Sequence, residues 1–172
     1  MTKKPAPTYE GRFFQLNPDA VLSLVVFGVA VAVTAQNPDT PAVDGLVIVA
    51  SSIVALFTAH VFAHSVAGHG FKNGRLIGFR EAFANAIRNA VSMFIWVLPA
   101  TVPLILGALG IISAEEADQY ALALMFGGLF AFGFLVFYVR HSKWYICVLG
   151  SLATGLMGTL VVAIELVARL LH

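Results

Sequence analysis

Five long apolar stretches, at about 19–36, 45–68, 84–111, 117–139 and 144–169, decide what this chain can become. A helix needs about 20 mostly apolar residues to cross the hydrocarbon core of a bilayer, and each stretch is near or above that length. Inside lipid no water is present to satisfy exposed backbone N–H and C=O groups, so spans of this kind must be helical. Composition agrees. Of 172 residues, 59% are hydrophobic and 11% are charged, and the mean hydropathy is +0.89. A soluble domain carries about a quarter charged residues, so this excess of apolar side chains has to meet lipid or other membrane helices. The expected fold is all-α: a polytopic membrane protein with a bundle of about five transmembrane helices. Residues 1–16 read as a flexible or interfacial tail with Arg12-Phe13-Phe14 as an anchor, and residues 17–172 as one transmembrane domain.

Local signals mark the helix starts. Asn17-Pro18-Asp19 sets a capping side chain before a proline at the first helical position and an acid in the first turn. Thr40-Pro41 precedes the second stretch in the same way, and Ser113-Ala114-Glu115-Glu116 is a capping box opening the fourth. The first stretch has no small-residue cleavage site beside it and reads as a retained span, not a signal peptide.

Charge placement predicts direction. Nine of the ten basic residues fall in the N-terminal tail, the 69–83 region with the adjoining Arg88, and the 140–143 loop; only Arg169 falls elsewhere. The intervening loops carry Asp39, Asp44, Glu115, Glu116 and Asp118 and no basic residue. Basic loops stay cytoplasmic, so the reading is N-terminus inside, C-terminus outside, in a cytoplasmic (inner) membrane. A net charge of +1 gives no basic surface for nucleic acid. The single cysteine, Cys147, excludes an intrachain disulfide and any Cys-based metal cluster, and reads as a small buried hydrophobe. No internal repeat is visible, which speaks against an inverted-repeat transporter plan.

Polar groups at membrane depth are the functional candidates. His60 and His64 lie four apart on one face of the second span, with His69 on the opposite side. In the third span Glu81, Asn85, Arg88, Asn89, Ser92 and Trp96 advance at helical spacing along one stripe. Such a stripe is expected to face other helices or a water-filled cavity, and with the histidines to enclose a polar pocket opening inward. Interhelical hydrogen bonding, a Glu81–Arg88 pair, or snorkelling by Arg88 would explain the same residues without any activity. A metal at His60 and His64 is a further reading, with Glu81 or His69 as the third ligand. Val61 stands where an H-E-x-x-H site would need its general base. Two histidines four apart on one helix cannot supply both axial ligands of a haem.

Other features read as packing. Pro99 and Pro103 are expected to kink the third span. Gly150, Thr154 and Gly158, flanked by Ser151, Gly155 and Thr159, form a double small-residue seam on the fifth span, with the glycines and phenylalanines of the fourth as a facing surface. Glu165 and Arg169 are spaced as an i,i+4 ion pair. Three functions fit these features. The first is a homo-oligomeric channel or transporter for protons or a small ion, since histidine ionises near neutral pH. The second is an accessory or assembly subunit of a larger membrane complex. The third is a membrane metal-binding or redox protein. Enzymatic activity is not expected, and no cofactor is implied beyond a metal at the histidine pair; the bilayer is the expected partner.

Overall fold

The computed structural model describes residues 18–36, 41–72 and 75–170. Within this range some side chains, Glu165 and Arg169 among them, lie outside the description, as do Asn17 and Thr40. Among the described residues five helices make up the fold: α1 (Pro18–Ala35), α2 (Ala42–Gly68), α3 (Phe79–Ala108), α4 (Ala114–Val139) and α5 (Trp144–Leu170). Between α2 and α3 a short antiparallel hairpin pairs β1 (Gly70–Lys72) with β2 (Arg75–Ile77), in the register Gly70↔Ile77, Phe71↔Leu76, Lys72↔Arg75. Helices α2, α3, α4 and α5 contain segments long and apolar enough to cross a membrane; α1 is apolar but shorter.

The helices begin and end where local chemistry stops the ladder. Pro18 opens α1, and Pro41 precedes α2 as its cap residue, its ring fixing the backbone at that start. At α4 the capping box is complete: Ser113 Oγ accepts from the Glu116 N–H at 3.2 Å, and the Ser113 N–H donates to the Glu116 carboxylate at 3.0 Å. Two helices finish in Schellman turns. After α3 the Ile111 N–H reaches the Leu106 carbonyl and the Gly110 N–H reaches that of Gly107, with Gly110 at φ +72°. After α4 the same pattern runs from Ser142 to Phe137 and from His141 to Tyr138, with His141 taking the left-handed position at φ 54°. Pro99 and Pro103 lie within α3, and the helix continues through both.

The shortest helix occupies the middle. Helix α1 packs against all four others, and Leu24, Phe27 and Val31 are completely buried. At 18 residues it is about 27 Å long, at 1.5 Å per residue. A helix jacketed by protein does not have to match the bilayer with its own length. Around it, Val49 and Ile53 of α2, Val97 and Leu104 of α3, and Ala121, Met125 and Leu129 of α4 complete one continuous core. The Ser23 hydroxyl, fully buried, lies 2.8 Å from the Ala20 carbonyl and 3.2 Å from that of Met93, tying α1 to α3 without leaving a polar group unsatisfied.

The small-residue seam of α5 packs within the chain, against α4. A Cβ placed on Gly133 would lie 2.7 Å from Thr154 Oγ1, 2.8 Å from the Gly150 carbonyl and 2.9 Å from Ser151 Cα. Gly150, Gly155 and Gly158 receive Phe137, Phe130 and Leu129 in turn. The Ser151 hydroxyl crosses to the Phe130 carbonyl at 2.8 Å, while Thr154 and Thr159 return their hydroxyls to the carbonyls of Gly150 and Gly155 on their own helix. Cys147 is buried one turn before the seam.

Successive helices run antiparallel, which gives the bundle two ends. One, the hairpin end, collects the start of α1, the end of α2, the hairpin, the start of α3 and the α4–α5 turn. The other collects the end of α1, the start of α2 and the Ser113 cap of α4.

Candidate functional site

The polar residues of the hairpin end fall into two adjoining groups. The first joins α1 to α2. His60 is in the last third of α2 and is 8% exposed, held between the helices. Its Nε2 lies 3.2 Å from Oδ2 of Asp19, in the first turn of α1. That is ion-pair distance, yet the approach does not meet hydrogen-bond geometry: His60 Nε2 is fully buried and without a hydrogen-bond partner. One turn on, the His64 ring lies against that of His60 with centroids 3.9 Å apart. His64 Nδ1 is 3.2 Å from the His60 carbonyl oxygen. A carbonyl only accepts, so in that hydrogen bond Nδ1 carries the proton, and in the neutral ring the lone pair is on Nε2. Ligand atoms from Asp19, His60 and His64 all lie within 4.8 Å of one another.

The second group is a cleft of about 250 Å³ between the end of α2 and the start of α3, lined by His64, Ala67, Gly68, Ile77, Ala82, Asn85, Ala86 and Asn89. His64, itself exposed, belongs to both groups and is the point where the buried cluster meets the cleft.

The stripe predicted on α3 is divided. Asn85 and Asn89 line the cleft. Ser92 directs its hydroxyl to the Asn89 carbonyl of its own helix at 2.8 Å. Trp96 packs edge-on against Phe132 of α4, with centroids 5.2 Å apart. Glu81 and Arg88 are exposed. The reason is length. Helix α3 starts at Phe79, five residues before the expected boundary, and its 30 residues extend about 45 Å. That is roughly ten residues more than a 30 Å core requires. The first turns, carrying Glu81 to Arg88, can therefore sit at headgroup level where charge is cheap. The buried face of α3 is instead the small-residue line Ala82, Ala86 and Ala90, continued by Met93 and Val97.

The third member of the histidine group is Asp19; neither Glu81 nor His69 is part of it. His69 is exposed, its ring centroid 6.3 Å from that of Phe79. Sequence reading placed Asp19 in a helix-start signature, where an acid in the first turn needs no other explanation. Only the packing of α1 against α2 shows its second use.

At the opposite end of the bundle lies a larger cavity of about 450 Å³, bounded by Thr34 and Ala35 of α1, the first turns of α2, Leu104, and Glu115, Asp118 and Gln119 of α4. Between the two cavities stands the apolar core around α1. Comparison of the chain with protein-family models, with curated proteins and with solved structures finds no match.

Proposed function

We propose that this is a five-span protein of the cytoplasmic membrane that moves protons or a small cation, with the hairpin end facing the cytoplasm. The observation that carries the reading is the joining of the contact between half-buried Asp19 and buried His60 to an open cleft carrying Asn85 and Asn89, through His64. Ionisable groups inside a membrane domain are costly and persist where a path or a bound ion needs them. The second cavity, at the far end, would be the outer vestibule, and the core between them closes the path in this conformation. Arg80, Arg88, Arg140 and Lys143, all exposed at the hairpin end, support the orientation.

Flux is the decisive measurement. The purified protein in proteoliposomes should pass protons or small cations, monovalent or divalent, down a gradient, and His60→Ala combined with His64→Ala should reduce that flux to the level of empty vesicles. Retained monodispersity on size exclusion would show that the variant still folds. Flux through the folded, unmutated protein no greater than that of empty vesicles would remove the proposal.

Orientation has its own test. A periplasmic-type phosphatase fused after His172 should be active, and a fluorescent protein at the same place dark. The reverse pattern would place the C-terminus in the cytoplasm and overturn either the orientation or the odd number of spans.

A further inference from the structure

We infer that Asp19, His60 and His64 form a binding site for a divalent transition-metal cation of the zinc, cobalt or nickel kind, presented to the cleft at the hairpin end. As the identity of the cargo this deepens the translocation reading and rests on it; as a binding site it stands on the geometry alone.

Four observations converge. Three donors from two helices lie within 4.8 Å of one another. In a tetrahedral zinc site with bonds of about 2.0–2.1 Å, neighbouring donor atoms are roughly 3.3 Å apart. The Asp19 to His60 separation is 3.2 Å. His60 Nε2 is buried and makes no hydrogen bond, an arrangement that is expensive for an imidazole nitrogen with nothing to ligate. His64 has its Nδ1 at the His60 carbonyl, which in the neutral ring favours the tautomer with a donor lone pair on Nε2. Histidine ligands to metals are commonly held in this way, by a carbonyl or carboxylate on the other ring nitrogen. His60 and His64 are also four apart on one helix face, the spacing at which two imidazoles reach one ion.

Donor chemistry selects the ion. Two imidazoles and one carboxylate suit borderline metals such as zinc, cobalt and nickel. Calcium takes six to eight oxygen donors and magnesium prefers a hydrated octahedral shell, so a single carboxylate with two imidazoles is a poor site for either. Three protein ligands leave the fourth position open, and the cleft beside His64 lets water or the exchanging ion occupy it. A closed structural site would hold its metal; an open one can exchange it, as a carrier requires.

The rival account is a plain ion pair between a protonated His60 and Asp19. It needs no His64 and no metal, so the two accounts differ in what titrating a metal would show. The full-length protein, purified in mild detergent and stripped with a chelator, should bind one Co²⁺ per chain. Binding should bring the visible absorption of a four-coordinate cobalt–imidazole site, which Zn²⁺ displaces. Asp19→Asn and His64→Ala should each weaken binding by more than about tenfold, and His69→Ala, outside the cluster, should not. Acidification should release the metal, because protons compete for the imidazole lone pairs. His64→Ala is the safer of the informative variants, since His64 is exposed and its truncation leaves the α1–α2 contact intact. Absence of saturable Co²⁺ or Zn²⁺ binding by the folded protein would overturn the inference, as would binding indifferent to both Asp19→Asn and His64→Ala. Proton flux without metal binding would leave the translocation proposal standing and remove only this site. Metal binding without flux of any cation would do the opposite.

Discussion

Replacing Gly133 with alanine should cost this protein about 2 kcal/mol, and replacing it with leucine should prevent folding. The added Cβ would meet the Gly150 carbonyl at 2.8 Å and Ser151 Cα at 2.9 Å, and both are backbone atoms of α5. A side chain in the way can rotate, but backbone on a packed helix cannot yield without moving the helix. Overpacking of a filled interior costs about 1–3 kcal/mol, and the top of that range applies where no rotamer offers relief. Against it stands the gain in helix propensity from Gly to Ala, about 1 kcal/mol, which leaves the net loss stated. The Ser151 to Phe130 hydrogen bond crosses the same seam and would lengthen with it. Gly127 supplies the control: it lies on the same helix with nothing within 4 Å of its would-be Cβ, so Gly127→Ala should be neutral or slightly stabilising. The midpoint of heat-induced loss of monodisperse protein in mild detergent measures both. Equal midpoints for Gly133→Ala and the unmutated chain would mean that α4 and α5 do not approach as closely as described.

That seam shows what kind of information a membrane sequence carries openly. Lipid replaces the hydrophobic contrast of a soluble protein, so close helix contact depends on small residues at a spacing of four, and Gly150, Thr154 and Gly158 display it directly. The helices themselves were legible for the same reason: a segment that must satisfy its backbone in hydrocarbon has little choice but to be apolar and helical. The Ser113 box could be read because its two partners are three residues apart. The central position of α1 could not. Its side chains are about as apolar as those of α2, and hydropathy does not tell a helix wrapped in protein from one wrapped in lipid. Hydropathy and charge show the hairpin segment only as a basic loop, although Asn73-Gly74 is the dipeptide that two-residue hairpin turns favour. At the site, helical spacing puts His60 and His64 on one face, where their rings meet, because that relation is local. It could not supply Asp19, whose role depends on how two helices pack, nor place Glu81 and Arg88 outside the packed interior, since that depends on where α3 begins.

The second large effect is expected at Phe27. This side chain is fully buried midway along α1, eight residues beyond Asp19 and seven before Thr34. Those two residues belong respectively to the histidine cluster and to the lining of the far cavity, so Phe27 stands in the apolar layer that separates them. In soluble proteins Phe→Ala costs about 3–5 kcal/mol, the sum of lost transfer from water and the cavity left behind. Inside a membrane bundle the transfer part shrinks, because the unfolded alternative still lies in hydrocarbon. The cavity part remains. Removing roughly 100 Å³ at about 24 cal/mol per Å³ gives about 2.4 kcal/mol. Stability should therefore fall by roughly that amount, while Phe27→Leu, which leaves less space empty, should lose less. The functional consequence follows from the position. An opened space between the two cavities shortens the dry path, so vesicles containing Phe27→Ala should leak protons faster than vesicles containing the unmutated protein. Adding His64→Ala should slow that leak if the protons pass by the cluster. A folded Phe27→Ala protein with unchanged proton permeability would show that the layer around α1 is ordinary core and that the two cavities are not the ends of one route.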